Sequence, residues 1–83
     1  MDYLKIFSLL PNFNFNKEIV EDDFYNPSLY KWDGYWIVSW ISDEGDSLIE
    51  FLGKTPEEAI TCTLSFIIVE YPDYYEKNIK NAK

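Results

Sequence analysis

The stretch from Thr55 to Tyr71 limits what this chain can become more than any other. Thr55-Pro56-Glu57-Glu58 has the composition of a helix start. The threonine hydroxyl can cap, proline suits the first helical position, and Glu58 can close a capping box. Two acids in the first turn also suit the positive end of the helix dipole. A helix is therefore predicted over 56–70, interrupted by Pro72. Its apolar positions do not keep to one stripe. Ile60, Leu64, Ile67, Ile68 and Tyr71 share one face, and Ala59, Cys62, Phe66 and Val69 share the face beside it. Only Thr61, Thr63, Ser65 and Glu70 interrupt the coat. A helix that is apolar on nearly every side must be covered on nearly every side. An 83-residue chain builds one core, so the cover comes from the rest of this fold or from a second copy. Homodimerisation through the 56–70 helix is thus one expectation.

The rest of the chain offers a sheet. Tyr35 to Ile41 and Ser47 to Leu52 are β-branched and aromatic runs, as strands require. The loop between them, Ser42-Asp43-Glu44-Gly45-Asp46, provides a glycine for a left-handed turn position. Asp33-Gly34 is a two-residue hairpin turn, which makes the residues before it a further strand. The reading is α+β: a short N-terminal helix and a three-stranded antiparallel meander (about 28–32, 35–41 and 47–52) packed on the helix 56–70, all in a single compact domain, 1–83. Leu4, Phe7 and Leu10 are expected on one side of the N-terminal helix, with Tyr3, Ile6 and Leu9 close by, and Pro11 ends it. Asn12 to Asn16 fits an extended piece or a loop equally well. The acidic stretch Glu18 to Asp23 suits one helical turn. After Pro72 a helix is expected to restart with Asp73 as its cap, and residues 78–83 are expected to fray.

Composition removes most chemistry. There is no His, so no Ser-His, Cys-His or His-metal site can be assembled. Cys62 sits between apolar neighbours with no cation close in sequence, and reads as a small buried hydrophobe. Asp43, Glu44 and Asp46 are the best local carboxylate cluster, but their spacing does not match an EF-hand. The glycines Gly34, Gly45 and Gly53 are isolated, so no phosphate loop forms. The expectation is a non-enzyme with no cofactor and no metal. The opening residues lack the basic and long apolar segments of a signal peptide, no run approaches the roughly 18–20 apolar residues of a spanning helix, and a lone cysteine suits a reducing compartment. A cytoplasmic location and no membrane partner are expected.

Fifteen acids against seven lysines leave a formal charge of −8. Direct nucleic-acid binding needs a basic patch to displace counterions, and the strongest basic cluster here is Lys77, Lys80 and Lys83 in the tail, so no direct nucleic-acid partner is expected. Between Glu18 and Glu58 eleven acids face only Lys31 and Lys54, so that segment carries −9. Its acids, Glu21, Asp22, Asp23, Asp33, Asp43, Glu44 and Asp46 among them, are candidates for a patch that meets a basic partner. Three Trp, seven Tyr and six Phe mostly fill the core; Tyr25, Tyr30, Tyr74 and Tyr75 are the candidate anchors for such a contact.

The run Gly53-Lys54-Thr55-Pro56-Glu57-Glu58-Ala59-Ile60, after a Trp-rich hairpin and leading into an apolar helix, resembles the C-terminal half of many small bacteriophage accessory proteins. In size and charge the chain is similar to phage anti-CRISPR and anti-restriction inhibitors, and equally to bacterial toxin-immunity proteins. The resemblance implies an inhibitor that blocks a basic, nucleic-acid-binding surface in a bacterial host cell. The alternatives are an immunity protein for a nuclease toxin, or a scaffolding homodimer whose acidity serves solubility alone.

Overall fold

The computed structural model describes residues 2–41 and 45–82, which form an α+β fold. Helix α1 (Tyr3–Ser8) leads into a small hairpin, β1 (Asn12–Phe13) and β2 (Ile19–Val20). A 3-10 turn, Asp23–Tyr25, follows. Strands β3 (Ser28–Trp32), β4 (Tyr35–Ile41) and β5 (Ser47–Gly53) then form an antiparallel sheet with β4 in the centre. Helix α2 (Pro56–Glu70), helix α3 (Pro72–Asn78) and a 3-10 turn, Lys80–Ala82, complete the described chain. No helix among the described residues is long and apolar enough to cross a membrane.

The meander follows from its turns. Asp33 and Gly34 both have positive φ, 52° and 82°, as a two-residue turn between right-twisted strands requires. Trp32 consequently pairs with Tyr35, and the register runs on to Ser28 opposite Ser39. On the other side Trp36 pairs with Gly53, and the pairing continues to Trp40 opposite Ile49. A register shift follows, so that Ile41 meets Ser47 and Leu48 is left as the extra residue of a bulge.

Alternation sends Trp36, Val38 and Trp40 of β4, with Leu29, Ile49 and Phe51 of its neighbours, against α2. From the helix side Ala59, Ile60, Leu64 and Ile67 are buried against them. Burying each of the three larger side chains, Ile60, Leu64 and Ile67, is worth about 1.5–3 kcal/mol. Thr63 is also fully buried, and its hydroxyl donates to the Ala59 carbonyl at 2.8 Å, so its burial leaves no polar atom unpaired.

The N-terminal hairpin is held by Phe13, which is 1% exposed. Its ring stands edge-on to Trp40 at 5.0 Å and lies 4.9 Å from Tyr71, while Phe66 bridges Phe51 and Tyr71 at 5.2 and 5.8 Å. Trp40 donates from its indole nitrogen to the Pro11 carbonyl at 3.0 Å. Tyr71 donates to the Lys17 carbonyl at 2.6 Å. Aromatic pairs in such geometries add about 0.5–1.5 kcal/mol each beyond their buried area.

Several local expectations are corrected. In α1 the fully buried residue is Ile6, while Leu4 is 62% exposed, so the expected Leu4-Phe7-Leu10 stripe is rotated toward Ile6 and Leu10. Residues 18–23 hold strand β2, and the expected helical turn comes later, as the 3-10 turn Asp23–Tyr25 capped by Asp22. The side chain of Asn14 accepts from the backbone of Asn16 and Glu18 at 2.9 and 3.0 Å, closing a loop that lets β2 pair back on β1. Asp73 does not cap α3. Tyr71 ends α2 and begins α3, because Pro72 lacks an N–H and pushes the residue before it out of helical geometry; Tyr71 has φ −135° and ψ 57°. Residues 78–82, expected as a fraying tail, end α3 and form a 3-10 turn against the core. Ile79 is 0% exposed and sits in the core, with its N–H bonded to the Tyr75 carbonyl at 3.0 Å.

Candidate functional site

The start of α2 forms the expected cap with one difference. Thr55 Oγ1 accepts from the Glu58 N–H at 3.1 Å, but the Glu58 carboxylate reaches past the cap to the Lys54 N–H at 2.7 Å. Gly53 makes this approach possible, because a Cβ there would lie 2.6 Å from Glu58 Cβ and collide with the Ala59 nitrogen. Strand β5 thus passes directly against the first turn of α2.

The candidate acids divide between the two ends of the sheet. Asp33 lies in the β3–β4 turn, at the end where β5 closes and Glu57 and Glu58 open α2. Asp46 precedes β5 at the opposite end, about 20 Å away by the length of the seven-residue β4. Glu21, Asp22 and Asp23 belong to the segment that enters β3 at that second end. Asp22 is partly occupied: its carboxylate accepts from the Phe24 N–H at 2.9 Å and its carbonyl from the Asn12 side chain at 3.2 Å. Asp43 and Glu44 lie outside the described residues. The described candidates are therefore not one cluster but two groups separated by the sheet.

The four candidate tyrosines also separate. Tyr30 is exposed. Tyr25 is half-buried, with its ring edge-on to Phe24 at 5.2 Å. Tyr74 and Tyr75 pack against the core, and the Tyr74 hydroxyl donates to the Leu9 carbonyl at 2.8 Å. Burial raises the Tyr74 pKa above its usual 10.0; for Tyr71 burial and then the adjacent Glu70 carboxylate do the same. Tyr74 thus serves as a tie between α3 and the N-terminal segment.

The face of the sheet turned away from α2 shows an apolar surface that the sequence reading did not single out. Tyr30, Trp32, Tyr35 and Ile41 lie on it, with Leu52 at its β5 edge where it also borders the start of α2, all between 37% and 53% exposed. Tyr30, Ile37 and Leu52 are direct cross-strand neighbours, as are Trp32 and Tyr35. Glu50, held by the Ser47 hydroxyl at 2.9 Å, is the charged residue among them. Its cross-strand neighbour Ser39 is fully buried, and among the described residues its hydroxyl finds no hydrogen-bond partner. The signal was present in the sequence: strands apolar at odd and even positions alike have two faces to cover, and α2 covers one.

Helix α2 is itself not enclosed. Ile68 and Val69 are 41% and 73% exposed, and Cys62 is exposed beside Leu52 and Thr61. The expectation of a buried Cys62 is overturned because the sheet covers only the Ala59-Thr63-Ile67 side. A groove of about 620 Å³ runs between the N-terminal hairpin and α3, with Glu21, Asp73 and Lys77 at its walls. Among the described residues no group of three or more acids or cysteines is placed to hold a metal ion.

Compared with known protein families, curated proteins and solved structures, the chain finds no match.

Proposed function

We propose that this chain is a non-catalytic inhibitor that occupies a basic, nucleic-acid-binding surface of a host defence complex or nuclease in the bacterial cytoplasm, as phage anti-CRISPR and anti-restriction proteins do. The observation that carries this reading is uncompensated charge. All nine described acids between Glu18 and Glu58 are exposed. The one ion pair among the described residues, Lys80 to Glu76 at 3.1 Å, lies outside that segment. Such a field speeds encounter with a basic surface and repels acidic ones. An immunity protein for a nuclease toxin would work through the same physics.

The test is competition. A partner captured from host lysate on the immobilised chain is mixed with duplex nucleic acid, and the two ligands are expected to displace each other. Capture should weaken in the triple variant Glu21→Gln/Asp22→Asn/Asp23→Asn or in Asp43→Asn/Glu44→Gln/Asp46→Asn. Asparagine at position 22 still caps the Phe24 N–H, so folding is spared. Simultaneous binding of nucleic acid and chain, or full capture by both variants, sinks the reading.

A second reading, a scaffolding homodimer, is favoured by the uncovered Ile68 and Val69 on α2. It requires a sedimentation mass near twice 9.9 kDa.

A further inference from the structure

We infer that the sheet face turned away from α2 is the docking surface, and that its occupant is a protein surface with an apolar centre rimmed by Lys or Arg. The inference rests on the reading of a basic partner and deepens it by naming the face and the apolar half of the contact. Three observations carry it.

The first is area. Trp32, Tyr30, Tyr35, Ile41 and Leu52 are 53%, 37%, 43%, 42% and 46% exposed. With full areas of roughly 150–250 Å² each, they expose about 400–450 Å² together. That lies in the range of the largest, often functional, patches on monomers. It is also about half of the roughly 800 Å² that one partner contributes to a standard interface, the other half being polar rim.

The second is charge. Asp33 and Asp46 bracket this face at its two ends and Glu50 stands on it. A ring of cations around an apolar centre complements that arrangement. A second copy does not, because it would bring another −8 against the first.

The third is continuity of purpose in the fold. One face of β4 is committed to the core through Val38 and Trp40, so the exposed aromatics opposite are not needed to hold α2.

The probe is a helical peptide whose leucines share one face and whose lysines flank them. Its counterparts carry Glu in place of Lys, or Ser in place of Leu. Binding to the full chain is read by tryptophan fluorescence. Trp32 is 53% exposed, Trp36 is half-buried on the opposite face and Trp40 is only 1% exposed, so a blue shift that disappears in Trp32→Phe reports this face. The Lys-Leu peptide is expected to bind with a blue shift, and both counterparts at least tenfold more weakly. Trp32→Ser/Leu52→Ser should weaken binding at least tenfold, followed by calorimetry since the reporter is lost. Ile68→Ser/Val69→Ser, on the open side of α2, should stay within twofold of the parent.

Unchanged binding by Trp32→Ser/Leu52→Ser, with Lys still preferred to Glu, overturns the choice of face and leaves the basic-partner reading intact. Equal binding of the Lys and Glu peptides overturns both. No binding of the Lys-Leu peptide overturns the inference. So does a dimer mass that falls to the monomer in Trp32→Ser/Leu52→Ser, because a second copy then covers the face.

Discussion

Replacing Ile79 by alanine tests the least expected contact in the fold. Ile79 follows α3, is 0% exposed, and belongs to the same buried cluster as Ile6, Trp40 and Ile67. The change removes three carbons, worth about 0.8 kcal/mol each in transfer alone, or about 2.4 kcal/mol. The cavity left behind adds to this, so a loss of about 3 kcal/mol is expected, within the usual span of about 2–5 for such truncations. A domain of this size has a total stability of roughly 4–12 kcal/mol. The variant therefore loses at least a quarter of it, and its midpoint falls by roughly 12–24 °C. Urea unfolding followed by fluorescence is the assay, since Trp40 is buried in the folded chain and exposed when it unfolds. The slope m should stay constant while the midpoint drops. Lys80→Ala, which breaks only the exposed pair with Glu76, is the control and should change stability by less than about 0.5 kcal/mol. An Ile79→Ala loss below about 0.5 kcal/mol would mean that this segment frays, and the reasoning would be refuted.

Two further outcomes follow from single atoms. Gly53→Ala should destabilise by at least about 1–3 kcal/mol in the same urea assay, because the added Cβ has only the backbone and Cβ of α2's first turn to push against; a neutral result would mean that β5 and α2 separate easily. Tyr74→Phe should cost about 1 kcal/mol at neutral pH by removing the hydroxyl bonded to the Leu9 carbonyl. The folded pKa values of Tyr74 and Tyr71 are raised above 10.0, so their contribution to stability is complete below pH about 10 and is lost as pH rises from there through the folded values. Urea midpoints measured upward from pH about 9 should fall, and less steeply in Tyr74→Phe; an equal fall in both proteins contradicts the role assigned to that tyrosine.

The parts of the fold that could be read in the sequence are those fixed by neighbours along the chain. The cap at Thr55, the turn at Asp33-Gly34 and the two strand runs around it each depend on a few consecutive residues, and each stands where it was expected. The hairpin of β1 and β2 was missed because it has only two residues per strand and depends on Phe13 reaching Trp40 and Tyr71, contacts made across much of the chain. Ile79 was misjudged for the same reason: its polar neighbours look like a free tail, and only the packed fold shows a slot for it. The apolar coat of α2 was correctly seen to exceed one face. Where the excess goes was not legible, since Ile68, Val69 and Cys62 are left open by the position of the sheet, not by their own chemistry. For the candidate site, composition pointed to acids and aromatics but could not place them. The fold sends Asp33 and Asp46 to opposite ends of the sheet, ties Tyr74 into the structure, and brings Trp32, Tyr35 and Leu52 together beside Tyr30.

The salt dependence of binding tests the central claim most directly. The affinity of the full chain for its captured partner is measured between about 50 and 200 mM salt, a span over which screening of exposed charges changes strongly. The account predicts that affinity falls steadily as salt rises, chiefly through a slower association rate, and that Asp33→Asn/Asp46→Asn flattens the dependence. An affinity that is constant or grows with salt would contradict it, and would leave an apolar contact in which the acids of this chain take no part.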